Sequence, residues 1–140
     1  MSRRAAERDR LSAELRAAEL RHRLLAENAT DTILAFGPDG RITYVSPASN
    51  ELIGYPPEEI VGRQPHAFVH PDDRRSVTRA RARIGAEGDT ITVTSRLRHR
   101  AGHYVWIEAR VRRVLDPKTG VPVEGQAIVR DVSERVAAEA

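Results

Sequence analysis

Two neighbouring segments of alternating side chains constrain the fold more than any other feature of the sequence. In residues 90–98, the alternate positions from Ile91 to Leu97 form one face of a strand, and threonines and arginines form the other. Residues 103–114 repeat this pattern, and the turn from His99 to Gly102 joins the two segments. Because strict alternation is typical of half-buried strands, this stretch predicts an antiparallel hairpin with one face towards a core.

Shorter elements on either side complete an α+β pattern. Before the hairpin, DTILAF and RITYV flank the turn GPDG and predict a second hairpin, and residues 123–130 predict a last strand. Between the two hairpins, Pro and Gly punctuate short helices, the first with a cap predicted at Ser46 and the longer one with Pro71 predicted at its first position. Adjacent hairpins favour an antiparallel sheet with the central helices packed on one face.

Residues 3–27 predict a single amphipathic helix without Gly or Pro. A heptad-like seam runs along it, formed by Leu11, Leu15, Ala18, His22 and Leu25. Leu20 and Leu24 lie off that seam, which indicates an apolar face wider than a coiled coil needs. The pattern is compatible with a helix packed on its own domain and with a helix at a dimer interface.

Composition excludes several classes of protein. The chain has no cysteine, which rules out disulfides, thiolate nucleophiles and cysteine-based metal sites. No apolar stretch is long enough to span a membrane, and the charged N-terminus has no apolar segment behind it, so we expect a cytoplasmic protein. The net charge is only +3, and the basic run between Arg74 and Arg83 would spread around a helix as a solvated face. We therefore expect no nucleic-acid binding.

The motifs and their spacing resemble the PAS family of sensor domains. The stretches that carry the resemblance are DGRITYVSPASNELIGYPPEEIVGR, HPDDRR, AG before YVWIEARV, and RDVSER. The resemblance implies a PAS fold, with a five-stranded antiparallel sheet and short helices on one face. It divides the chain into an N-terminal helix (1–27), the PAS domain (28–131) and the start of a C-terminal signalling helix (132–140).

The closing motif RDVSER resembles the segment with which PAS domains end their last strand and begin an output helix. Asp131 or Ser133 can accept a hydrogen bond from a first-turn N–H, and Arg135 can pair with a nearby carboxylate. We predict that these three residues relay a signal from the domain to an effector domain beyond residue 140. A simple helix cap is the alternative.

The inward-facing strand and helix positions predict an apolar interior. It is either a packed core or a pocket for a small apolar ligand, and the pocket candidates are Leu34, Phe36, Ile60, His66, Phe68, Val93, Leu97, Val105, Ile107, Ala109 and Val129.

The cofactors of known PAS domains fit this sequence poorly, and the cofactor stays unknown. The resemblance places Pro65 where light-sensing flavin domains carry a reactive cysteine, so covalent-adduct photochemistry is excluded. It places Leu97, Ile107 and Val129 where amides would hold the flavin ring, and no histidine stands near Thr78, where haem-binding members carry one. Non-covalent flavin and haem are therefore not expected.

Two histidines remain as candidates for chemistry. His70 stands before Pro71 and is predicted to cap the longer helix, while His66 is predicted near the rim of the pocket. There is no second His/Asp cluster that would complete a metal site, and there is no nucleophile or phosphate-loop motif. We expect no metal and no enzyme activity, and catalysis through His66 is the weakest alternative.

Taken together, the sequence predicts a sensory and dimerisation module of a sensor histidine kinase, a diguanylate cyclase or a similar signalling protein. The alternative is an interaction or relay module without a ligand. Trp106 is predicted on the outer face of the sheet, where the N-terminal helix of its own chain or of a partner would cover it. With the helix seam, it forms the predicted homodimer interface.

Overall fold

The computed structural model describes residues 2–27, 30–85 and 89–140, so the predicted domain boundary at residue 28 lies outside the described residues. The described part forms one antiparallel sheet of five strands in the order β2–β1–β5–β4–β3. The strands are β1 (Thr32–Phe36), β2 (Ile42–Val45), β3 (Thr90–Arg98), β4 (Tyr104–Leu115) and β5 (Pro122–Asp131). The helices are α1 (Arg3–Glu27), α2 (Ser49–Ile53), α3 (Pro57–Ile60), α4 (Arg74–Ala82) and α5 (Ser133–Glu139). This architecture confirms the predicted fold class.

Alternation along the strands gives the sheet two different faces. On β4, Val105, Ile107 and Val111 are buried on one face, which we call the inner face because α2, α3 and α4 pack against it. The outer face carries Gln126, with its amide against α1. A shift of one residue in register would exchange these two sets, so the pattern fixes the pairing of the long strands.

The two predicted hairpins form where turn residues allow them. Between β1 and β2, the N–H of Gly40 donates to the carbonyl of Gly37, and the Asp39 carboxylate accepts from the N–H of Arg41. Gly40 has a φ of 85°, a left-handed conformation that glycine adopts without steric cost. Between β3 and β4, the pairing runs without a shift from Thr90–Arg112 to Arg98–Tyr104.

The helix α1 packs on the outer face of its own sheet, against β5, β1 and β4. Its sheet-facing stripe contains the buried Ala13 and Ala17, and Leu24 lies beside Gln126. The leucines Leu11 and Leu15 lie on the opposite side of the helix and are 53% and 61% exposed. The prediction of one wide apolar face was therefore wrong, because the small alanines let the helix approach the sheet and leave a second apolar stripe in solvent.

Two helix starts differ from the sequence-based prediction. The helix α2 begins at Ser49 rather than directly after the cap predicted at Ser46, because the Ser46 side chain is used elsewhere and accepts from the N–H of Ile33. The segment Pro71–Asp73 forms a 3₁₀ turn that precedes α4. Among the described residues, none of the helices has both the length and the hydropathy that crossing a membrane requires.

Candidate functional site

An apolar cavity of about 110 Å³ lies between the inner face of the sheet and the helices. The sheet contributes its wall through residues such as Val93, Ile107 and Val129, and Ile60 and Phe68 close it from the helical side. An engineered cavity of about 150 Å³ with a similar lining is known to bind benzene, so this volume is close to what a small ring needs. The arrangement can hold a small apolar group against apolar side chains of the sheet and the helices.

The structure brings together most of the residues that the sequence analysis proposed for a pocket. The cavity is lined by the candidates Leu34, Phe36, Ile60, Phe68, Val93, Leu97, Ile107, Ala109 and Val129. Val105 is buried in the core cluster next to it. Ligand binding by these residues stays a prediction, since burial and lining describe a space and not its occupant.

His66 has a different environment from the one expected at a pocket rim. Its Nε2 lies 3.2 Å from Oγ1 of Thr78 on α4, at an exposed position, while the neighbouring Pro65 lines the cavity. His70 caps the turn before α4, because its Nδ1 accepts from the N–H of Asp72 at 3.0 Å. Its ring lies 4.5 Å from that of Tyr104. Within the described ranges, no group of His, Asp and Glu side chains is placed to hold a metal ion.

The positions that the resemblance associates with flavin recognition lie on the cavity wall. Leu97, Ile107 and Val129 contribute aliphatic side chains there, which offer no hydrogen bond to a ring edge. Pro65 also lines the cavity, and Thr78 lies against His66 outside it. This wall favours an apolar group over a heteroaromatic cofactor.

Arg81 of α4 is a cavity residue that sequence reasoning missed. The basic run was interpreted as a solvated face, but the Arg81 guanidinium lies 5.0 Å from the centre of the Phe36 ring, and its side chain lines the cavity. Burial, and after it the positive charge of Arg113, lower the pKa of Arg81. The signal was present in the helical spacing, because Val77, Arg81 and Ile84 share one face of the segment.

The C-terminal helix α5 is attached to the sheet by hydrogen bonds and an ion pair at its first turn. The Asp131 carboxylate accepts from the N–H of Ser133 at 2.8 Å, and the N–H of Val132 donates to the carbonyl of Trp106. Arg135 pairs with Glu108 of β4 at 2.9 Å. These bonds fix the direction in which α5 leaves β5, because they hold its first turn to the neighbouring strand. A role of Asp131, Ser133 and Arg135 in signal relay stays a prediction.

The predicted dimer residues lie in several environments. Leu11, Leu15 and His22 are exposed on α1, Ala18 and Leu25 are partly buried, and Trp106 is partly buried on the outer face. The guanidinium of Arg96 lies 5.1 Å from the centre of the Trp106 ring and shields it. The helix α1 reaches β4 near Arg112 and Leu115, towards the other end of the strand. Within one chain, Arg96 therefore takes the covering role that was predicted for α1.

Comparison with known proteins places the fold in one class, the sensory domains with a PAS fold. The chain belongs to the PAS fold family, with residues 42–129 matching the family. The blue light receptor lreA of Aspergillus flavus is 33% identical over 87 residues, which are 62% of this chain and 10% of the receptor. The chain thus spans about a tenth of the length of the curated relatives that it matches.

Two bacterial structures show the same architecture. A sensory box histidine kinase/response regulator from Burkholderia thailandensis E264 has a TM-score of 0.66 and 28% identity, covering 85% of this chain and 89% of that one. A PAS domain from Colwellia psychrerythraea has a TM-score of 0.71 and 23% identity, covering 85% of this chain and 99% of that one. The similarity to the Colwellia domain shows the fold alone. The similarity to the Burkholderia protein adds a bacterial signalling protein to the chains that this one resembles.

Proposed function

We propose that this PAS domain is the sensory module of a cytoplasmic signal-transduction protein, and that a small ligand in the apolar cavity is its input. The single observation that carries the proposal is the cavity of about 110 Å³ on the inner face of the sheet. A core without a ligand is expected to contain few voids larger than a water molecule. The similarity to a histidine kinase and to a light receptor supports a sensory role.

The output of the proposed sensor runs through α5. The strand β5 lines the cavity with Ala127 and Val129 and continues directly into the Asp131 cap of α5. A ligand that displaces β5 therefore acts on the helix start without an intermediate element. A histidine kinase or diguanylate cyclase attached to α5 would receive the change, and the domain itself would catalyse no reaction.

We also propose that the module is a homodimer. The exposed Leu11 and Leu15 lie one turn apart on the side of α1 that faces away from its own sheet. The same side forms a shallow groove with Arg4, Glu7 and Arg8, whose charges can pair with those of a second copy. The arrangement leaves α1 able to pack on its own sheet and on a partner at the same time.

A native mass spectrum of freshly purified protein, compared with its denatured mass, tests the ligand. We expect extra mass on the folded protein only, and we expect it to disappear when Ala109→Leu fills the cavity. Thr94→Leu, on the outer face of the neighbouring strand, is the matched control. A folded mass per chain equal to the denatured mass would favour the alternative of an interaction or relay module without a ligand.

Substitution of Asp131 and Ser133 by Ala tests the relay in a protein that carries this domain in front of an output domain. We expect ligand binding to persist and the output response to be lost, because the start of α5 is no longer held. Glu134→Ala, in the same turn, is the control. An output response that survives the double substitution would disprove the relay role.

A further inference from the structure

Arg81 lies between two cavities and has an unusual environment for a charged side chain. It lines the apolar cavity and also a second, neighbouring cavity of about 170 Å³, and the Phe36 ring against which it packs lines both. Among the described residues, no carboxylate forms an ion pair with its guanidinium. A partly desolvated charge without a counterion is costly, so the site favours an anion.

A second guanidinium adds to the positive potential at the same place. Arg113 of β4 lines the second cavity together with Arg81, and its charge acts on Arg81 strongly enough to lower the pKa of that residue further. The carboxylate of Glu124 also lines this cavity, but it pairs with Arg21 and accepts from Nε2 of Gln126 at 2.7 Å. Two like charges that converge on one cavity are relieved by an anion between them.

The size of the apolar cavity limits the rest of the ligand. Its volume of about 110 Å³ is close to the roughly 150 Å³ that encloses benzene in an engineered protein, so the apolar part is no larger than one ring or a short alkyl chain. Arg81 lines both spaces, which means that an anionic group bound to it can be attached to an apolar group in the cavity. The two cavities together therefore fit an amphipathic molecule, with its apolar part in the apolar cavity and its anionic group in the second cavity, on the other side of Phe36.

We propose that the ligand of this domain is a small aryl or alkyl monocarboxylate, with its apolar body in the inner cavity and its carboxylate between Arg81 and Arg113. The proposal rests on the proposed sensory function and specifies the chemical class of its input. A planar guanidinium can hold a carboxylate through two parallel hydrogen bonds, which is the contact that the free Arg81 fork offers.

Isothermal titration with benzoate, phenylacetate, 3-phenylpropanoate and hexanoate, each compared with its neutral primary amide, tests this inference. We expect at least one carboxylate to bind about ten-fold or more tightly than its amide, as a charge-assisted hydrogen bond would give. Arg81→Gln removes that preference, because it lowers the affinity for the carboxylate more than the affinity for the amide. Arg79→Gln, an exposed arginine on the same helix, retains it.

The outcomes separate this inference from the proposed function. Equal affinities for acid and amide, or a preference that survives in Arg81→Gln, overturn the carboxylate class and leave the cavity as a ligand site. Binding by none of these compounds also overturns it, and only a native mass spectrum without an adduct would overturn the sensory function as well. If Arg81→Gln fails to fold, Arg113→Gln gives the same test from the opposite side of the second cavity.

Discussion

Asp73 and Arg96 join the start of α4 to the edge strand β3 through three hydrogen bonds. Oδ2 of Asp73 accepts from the backbone N–H of Arg96 at 2.8 Å and from its Nε at 3.0 Å, and Oδ1 accepts from Nη2 at 2.7 Å. The same guanidinium lies over Trp106 on the outer face. The Asp73 carboxylate thus positions the start of α4 and also the Arg96 guanidinium that shields Trp106.

This contact predicts a dependence of stability on pH. The hydrogen bonds from Arg96 lower the pKa of Asp73 in the folded protein. A lowered pKa contributes stability that is complete above the unfolded value of about 3.9 and is lost as the pH falls towards the folded value. We expect Asp73→Asn to lower the free energy of unfolding at pH 6 and to reduce the loss between pH 5 and pH 3, as measured by urea denaturation.

Asp72→Asn is the control for this prediction, because Asp72 is exposed and its carboxylate lies 3.9 Å from His70 rather than against Arg96. It should keep the stability profile of the parent protein over the acidic range. Parallel profiles for Asp73→Asn and the parent protein would show that the contact with Arg96 does not contribute to acid sensitivity.

Gly125 is predicted to be the glycine at which an added methyl group lowers the free energy of unfolding most. A Cβ built on Gly125 would lie 2.1 Å from Cε2 of Phe36, within the buried core and against an aromatic ring that cannot move aside cheaply. We expect Gly125→Ala to lower the free energy of unfolding by about 1–3 kcal/mol, the usual cost of overpacking. It should also weaken ligand binding, since Phe36 lines both cavities.

Gly85→Ala is the matched control, because among the described residues its new Cβ would meet just the carboxylate of Asp89, at 3.2 Å, and its φ is not positive. Thermal unfolding of the two variants gives the comparison. Equal melting temperatures for Gly125→Ala and the parent protein would mean that the Phe36 ring can adopt another conformation that accommodates the new methyl group without loss of stability.

Gln126 is predicted to hold α1 to the sheet. It is only 1% exposed, its Nε2 donates to the carbonyl of Ala17 at 2.9 Å, and its Oε1 accepts from Arg112. Gln126→Leu keeps the volume but leaves the Arg112 donors without that acceptor, so we expect a loss of about 1–3 kcal/mol. Hydrogen exchange should accelerate in α1 more than in β3.

Gln64→Leu provides the comparison, since Gln64 is exposed and its amide makes one long hydrogen bond of 3.3 Å to the carbonyl of Asp39. It should leave the exchange of α1 unchanged. A uniform acceleration in all elements of Gln126→Leu would argue for general destabilisation and against a specific attachment of α1.

Leu11 and Leu15 are predicted to control the oligomeric state without affecting the fold. Both side chains are more than half exposed, so replacing both with Glu removes little packing within one chain. We expect the parent protein to sediment as a dimer and the double variant to sediment as a monomer with a similar melting temperature. Val61→Glu, an exposed aliphatic residue remote from α1, should remain dimeric.

A parent protein that sediments as a monomer over the micromolar range would reject the proposed dimer. A double variant that remains a dimer would place the interface elsewhere, and Trp106→Glu would then be the next substitution to measure.

The sequence was most informative where burial alternates with a fixed period. The long strands and their pairing follow from alternation, since one face of each strand is buried and the other is not. The two sides of α1 were harder to separate, because Ala13 and Ala17 carry little hydrophobic signal although they form the packed side. Apolar residues on the exposed side, Leu11 and Leu15, dominated the pattern instead.

Single side chains that break the general rule for their residue type were not predictable. Arginine is rarely buried, so Arg81 was assigned to solvent although its spacing from Val77 placed it towards the core. His66 was predicted near the rim of the pocket, but a 3₁₀ turn at Pro65–Ala67 directs it to Thr78. The cover of Trp106 depends on the pairing of β3 with β4, which places Arg96 directly opposite.

The strand β5 separates the interior of the domain from its surface helices by the thickness of one backbone. Its odd-numbered residues Ala127 and Val129 line the cavity, its even-numbered Gln126 is bonded to α1, and its last residue, Asp131, begins α5. Successive side chains of one strand point to opposite faces, so only this backbone lies between the cavity and α1. In the proposed sensor, the ten residues of β5 would serve both as a wall of the ligand site and as the mechanical link between the two terminal helices.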